Sequence, residues 1–136
     1  FPTRRSSDLS IEETTHVMHL NNFDKLPVVD DSNNLVGQIS CQDIFWYGIP
    51  DFFKQLNTVS FVKHLDPFEK YFQFRKDMKV KDIYSKEAPS VKKDATLMEV
   101  AFEMTTKGHA KLFVLDDHKL IGVIDRFSII DKIFFL

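Results

Sequence analysis

Setting residues 10–44 against 96–129, with one gap in the turn, brings identical residues together at eleven positions. Glu13 meets Glu99, Met18 meets Met104, Lys25 meets Lys111 and Leu26 meets Leu112. Val28, Asp30, Asp31, Leu35, Gly37, Ile39 and Ile44 then fall on Val114, Asp116, Asp117, Leu120, Gly122, Ile124 and Ile129. Average composition would supply roughly two identities over such a window. A repeat of this kind constrains the fold more than any other feature, because both copies must form the same unit and bury an apolar face against something. The chain has 136 residues, 43% of them hydrophobic, enough for one ordinary core or two small cores in contact.

Each copy opens with a helix-start signal. Ser10-Ile-Glu-Glu13 and Thr96-Leu-Met-Glu99 are capping boxes, in which a hydroxyl and a Glu satisfy the orphan N–H groups of a first helical turn. Behind the second box, Leu97, Val100, Ala101 and Met104 recur at i, i+3, i+4 and i+7, one apolar stripe on a helix. "KLPVVDDSNNLVGQIS" and "KLFVLDDHKLIGVID" each read as strand, polar turn, strand, with Asp, Asn and Ser supplying the turn. "CQDIFWYGI" and "RFSIIDKIFF" follow as second helices, and "APSVKK" is a strand ahead of the second copy. The repeating unit is therefore β-α-β-β-α, an α/β (α+β) fold of two pseudo-symmetric copies packed through their sheets.

The boundaries follow from this pattern. Residues 10–50 form the first copy without its leading strand, 51–78 an aromatic-rich helical insert, and 79–136 the second copy. The opening "FPTRRSSDL" has no apolar core or cleavage pattern of a signal peptide. It resembles an adapter-derived leader rather than native chain, so residues 1–9 are set aside from the fold argument.

Several function classes lose support. A net charge of -2 provides no basic field for nucleic acid. No apolar run approaches the roughly 20 residues that span a bilayer. Cys41 is the single cysteine, which excludes an internal disulfide and fits a reducing, cytoplasmic setting. His16 and His19 share a helix face without a third ligand nearby, and Cys41 has no partner that would make it a nucleophile. No G-x-S-x-G, P-loop or dinucleotide fingerprint occurs, so no enzyme is expected and neither a metal nor a cofactor is called for.

One element remains with chemistry to explain: Gly37-x-x-Ser40-x-x-Asp43, at the junction of strand and second helix. Ser40 and Asp43 stand where a helix is capped, with Asp43 complementing the dipole of the first turn, and this alone accounts for both. They also stand where a helix N-terminus meets an anion.

Two β-α-β-β-α units in tandem, with L-P-V-V-D before the turn and G-x-I-S-x-x-D after it, resemble a CBS-domain pair, the regulatory (Bateman-type) module named after cystathionine β-synthase. The resemblance covers residues 10–50 and 79–136. The insert resembles that of bacterial CBS proteins fused to phosphotransferase-type or cation-antiporter components. Membership implies a regulatory module that senses an adenosine-type ligand (AMP, ADP, ATP or S-adenosylmethionine) and controls an attached effector. It assigns the ribose hydroxyls to Asp43, the phosphate to Ser40, a basic counter-charge to Lys25 and the backbone opening to Gly37. Lys111, the counterpart of Lys25, serves the second half-site. That half-site departs from the pattern: Asp125 stands where the hydroxyl faces phosphate and Ser128 replaces the ribose-gripping Asp, so it is expected to repel an anion. The family also implies a homodimer formed through helices. The competing expectation is a structural dimerisation scaffold that binds no ligand, favoured by fourteen Phe residues in a short chain.

Overall fold

A computed structural model describes residues 6–48 and 78–135. The first copy runs from a 3-10 turn at Ser6–Asp8 through α1 (Ile11–Asn21), β1 (Lys25–Val29), β2 (Leu35–Ser40) and α2 (Cys41–Gly48). After the insert come α3 (Val80–Ile83), β3 (Ser90–Lys92), α4 (Leu97–Thr106), β4 (Lys111–Asp116), β5 (Lys119–Asp125) and α5 (Arg126–Phe134). The expected helical insert at 51–78 lies, apart from Met78, outside the described residues.

Both capping signals operate. Ser10 Oγ accepts the Glu13 N–H at 3.0 Å. At Thr96 the box closes in both directions, the Glu99 N–H donating to Thr96 Oγ1 at 3.2 Å and the Thr96 N–H to Glu99 Oε2 at 2.9 Å. Asn22 ends α1 in the left-handed region, at φ 55°, a position Asn tolerates because its short side chain bonds locally. In the first hairpin Asp30 Oδ1 accepts the N–H groups of Ser32 and Asn34, both at 2.9 Å, and so shapes the turn.

The two hairpins repeat one another in detail. β1 pairs antiparallel with β2 and β4 with β5, and the register slips between Val28 and Val29 and again between Val114 and Leu115, at equivalent positions. β3 adds parallel to β4, giving, among the described residues, a three-stranded sheet in the second copy against two strands in the first. The hairpin tips meet across the copies: the Leu35 N–H donates to the His118 carbonyl and the Leu120 N–H to the Asn33 carbonyl, each at 3.1 Å.

The cores differ in size. Leu9, Ile11, Met18, Leu26, Val28, Ile39, Val80 and Ile83 form one buried cluster, whereas Val100, Met104 and Leu112 form a smaller one. Leu9, set aside with the leader, is thus a core residue. Of the stripe expected on α4, Val100 and Met104 are buried but Leu97 is 40% exposed. Val80 and Ile83 open the second copy in sequence yet pack in the core of the first: the segment crosses over.

Candidate functional site

The Gly37–Ser40–Asp43 element folds as a tight cap on α2. The Ser40 N–H donates to Asp43 Oδ2 at 2.9 Å, the Ser40 hydroxyl to the same oxygen at 3.0 Å, and the Asp43 N–H returns a bond to Ser40 Oγ at 3.1 Å. A reciprocal cap of this kind holds both side chains in one place without any ligand. It runs through Oδ2, leaving Oδ1 of Asp43 outside it. The Cys41 N–H donates to the Asp24 carbonyl at 2.9 Å. Two of the first three N–H groups of α2, those of Cys41 and Asp43, are therefore already engaged, and the helix start presents fewer free donors to an anion than its sequence suggests.

Gly37 has a specific reason to be glycine. A Cβ there would collide with the Ser85 carbonyl oxygen and come within 2.7 and 2.8 Å of the Tyr84 ring. The Tyr84–Ser85 segment passes directly over β2, where Ser85 and Gln38 exchange N–H···O bonds of 2.8 and 2.9 Å. Tyr84 and Ser85 were not marked by sequence reasoning. The available signal was the apolar i, i+3 pair Val80 and Ile83 just ahead of them, a helical turn needing a core that the second copy does not supply.

The two lysines approach this corner by different routes. Lys25 is the cross-strand partner of Ser40. Lys111 comes from the other copy: its ammonium lies 3.4 Å from Asp24 Oδ1 and 4.4 Å from the centre of the Phe23 ring. The backbone carbonyl of the same Asp24 holds the first N–H of α2, so Lys111 reaches the start of the first copy's motif. Its side chain is 20% exposed against 68% for Asp24, a pairing screened by solvent on one side.

The second half-site is the same cap with its partners exchanged. Asp125 Oδ1 accepts the Ser128 N–H and the Ser128 hydroxyl, both at 2.9 Å. Those two bonds, the backbone one foremost, and the nearby Lys111 charge hold the Asp125 carboxyl below the ordinary carboxylate range. It stays ionised where a phosphate would need a donor. Arg126, next to Asp125 in sequence, donates instead to the Gly108 carbonyl at 3.2 Å.

Cys41 sits beside Met18, sulfur to sulfur at 3.8 Å, and burial together with the Asp24 charge pushes its thiol pKa up. A helix N-terminus would favour a thiolate; desolvation wins here. Among the described residues, no group of three or more His, Cys, Asp or Glu is placed to hold a metal ion, and no helix is long and apolar enough to cross a membrane.

Comparison with known proteins agrees with this architecture. The family model for the CBS domain matches residues 6–48 and 80–134. A CBS domain-containing protein of unknown function from Kribbella flavida superposes with a TM-score of 0.76 at 18% identity, covering 93% of this chain and 88% of that one. CBSX2, solved in complex with AMP, matches at a TM-score of 0.67 and 22% identity over 93% of this chain and 83% of its own. The CBS domain pair of protein MJ0100, solved with 5-methylthioadenosine and S-adenosyl-L-methionine, matches at 0.60 and 21% over 94% and 83%. At such identities the likeness to the solved structures is one of fold. A search of curated proteins returned no match. Two matched segments, two copies of one unit and a crossover that ties them together show that this chain belongs to the CBS-domain family, as a tandem pair.

Proposed function

We propose that the chain is a regulatory, non-catalytic module that senses an adenosine-type nucleotide at the first copy and passes its occupancy to an attached effector. The observation that carries this reading is the convergence at the start of α2. Asp43 has a carboxylate oxygen outside the cap, Ser40 stands beside it, Lys25 is the strand partner of Ser40, and Lys111 arrives from the other copy. A carboxylate accepts two charge-assisted bonds from a vicinal diol, and the basic pair supplies counter-charge for a phosphate. That relatives of this fold are solved with AMP, 5-methylthioadenosine or S-adenosyl-L-methionine supports the adenosine class.

The cap itself provides the mechanism of response. One ligand hydroxyl takes Asp43 Oδ1 and the other competes with the Ser40 hydroxyl for Oδ2, so binding exchanges an internal bond for an external one and biases the junction of β2 and α2. Lys111 links that junction to the second copy, so differential binding to two arrangements of the pair becomes a signal. A thermal-shift panel tests the reading. AMP, ADP, ATP or S-adenosylmethionine should raise the melting temperature while GMP and inorganic phosphate leave it unchanged; indifference to all four adenosine compounds contradicts it.

A second reading, a dimerisation scaffold placed beside a cytoplasmic effector, is favoured by α5. None of its residues is buried, and Phe127, Ile130, Ile133 and Phe134 are 77%, 46%, 51% and 73% exposed. An apolar helix face of this extent calls for cover, most economically by a second copy across a two-fold axis. Light scattering should show a dimer that Ile130→Glu converts to monomer; a monomer at ~100 μM, where an association of ordinary strength is saturated, contradicts it.

A further inference from the structure

A phosphate at the start of α2 needs a donor N–H of the first turn and a cation beside it. One residue already holds both. The Asp24 carbonyl accepts the Cys41 N–H at 2.9 Å, and the Asp24 carboxylate faces the Lys111 ammonium, Oδ1 to Nζ at 3.4 Å. Lys111 also lies over the Phe23 ring, 4.4 Å from its centre, so two adjacent residues ahead of β1 hold it. The Asp24 charge is felt at the helix start itself, where it adds to burial in raising the Cys41 thiol. Asp24 is 68% exposed and Lys111 20%, so an anion arriving from solvent meets the carboxylate before the ammonium.

The repeat separates what the fold requires from what this residue adds. His109 and Ala110 stand before Lys111 as Phe23 and Asp24 stand before Lys25. Ala110 has no carboxylate, so a lysine at this place in the unit does not need an acid ahead of its counterpart strand. The bond to Cys41 comes from the main chain, and any residue at position 24 could supply it. The carboxylate on Lys111 is the part that only Asp24 brings. Lys111 has a second claim on its charge, for it also helps hold down the carboxyl of Asp125, its strand partner on β5.

We propose that Asp24 is a specificity-determining residue of the first copy's nucleotide site: it occupies Lys111 in place of a phosphate and so limits the negative charge that the tail of an adenosine ligand can carry. The inference rests on the nucleotide reading of that copy and refines it. The ribose hydroxyls still reach Asp43. A phosphate, by contrast, must either draw Lys111 away from Asp24 or lie beside the carboxylate with Lys25 alone as counter-charge. Every further phosphate adds to the same repulsion. The chain therefore ranks adenosine, and ligands with a cationic tail such as the sulfonium of S-adenosylmethionine, ahead of ATP, with AMP between them.

Calorimetric titration of the full chain with adenosine, AMP and ATP tests this in the parent, in Asp24→Asn and in Asp117→Asn. Asp24→Asn keeps the carbonyl on Cys41 and removes only the charge. Asp117→Asn makes the same charge change six residues from Lys111, roughly 20 Å along the strand direction and beyond the screening length of physiological salt. Its φ of 61° suits Asn as well as Asp. Asp24→Asn should tighten AMP about fivefold, the upper worth of a solvent-screened charge pair, and ATP by more, while adenosine changes less than about twofold. About 1 M salt should erase the gain. An equal gain for adenosine and AMP, or the same gain from Asp117→Asn, overturns the proposal, as does a parent chain that prefers ATP to adenosine. Binding of neither adenosine nor AMP by any of the three proteins ends the nucleotide reading itself, and the role of Asp24 with it.

Discussion

Two glycines at equivalent positions should respond to the same methyl group with opposite signs. At Gly37 an added Cβ meets the Ser85 carbonyl and the Tyr84 ring. Relief requires the Tyr84–Ser85 segment to lift from β2. Its complete release would forfeit two backbone hydrogen bonds at about 0.5–1.5 kcal/mol each. It would also expose Val80 and Ile83, at about 1.5–3 kcal/mol each. Added together, these approach the whole stability of a small domain, about 5–15 kcal/mol, so a local shift is the cheaper response. Overpacking of that kind costs about 1–3 kcal/mol, and the backbone contact places Gly37→Ala at the upper end. Gly122→Ala meets nothing and sits at no positive φ, so it should be neutral or stabilising by about 0.4–1 kcal/mol through lost freedom of the unfolded chain. Urea titration followed by circular dichroism measures both. The midpoint should fall for Gly37→Ala and hold or rise for Gly122→Ala, at constant m. Equal destabilisation by the two substitutions would refute the crossover as the reason for Gly37.

Acid should weaken the chain through its capping carboxylates. Asp125 and Asp30 accept backbone N–H bonds that lower their pKa values. Their contribution is therefore present above the unfolded carboxylate value, about pH 4, and is lost as pH falls through the lower folded values. Asp125→Ala should cost about 1 kcal/mol at pH 7 and progressively less below about pH 4, as seen by urea titration across pH; a cost independent of pH contradicts the assignment. Cys41, with its thiol pKa raised by burial, should react with a disulfide reagent at pH 7.5 more slowly than free cysteine, and a faster reaction would show that the helix dipole dominates.

The repeat, both caps and both hairpins were legible because each depends on neighbours in sequence: a hydroxyl three residues before a Glu, or alternating apolar residues around a polar turn. The reversal of roles at Asp125 and Ser128 was legible for the same reason. What was hidden is non-local. Val80 and Ile83 look like the start of the second copy, and nothing within their own segment says that they are buried in the first. Nothing in the sequence around Gly37 shows that the Tyr84–Ser85 segment passes over it. Leu9 was set aside with residues that carry no fold signal, yet it closes the first core. Lys111 was matched to Lys25 by the repeat, but only the inter-copy geometry brings it to Asp24 and so to the start of α2.

The claim that the α2 cap doubles as a nucleotide site is tested most directly by following backbone amide shifts during titration with AMP in the parent chain and in Asp43→Ala. The parent should show saturable shifts centred on Ser40, Cys41 and Asp43. Asp43→Ala should lose about 1.5–3 kcal/mol of binding, roughly ten- to hundredfold in affinity, the worth of hydrogen bonds to a charged group. Absence of shifts at those amides, or equal affinity in the two proteins, would show that Ser40 and Asp43 only cap a helix.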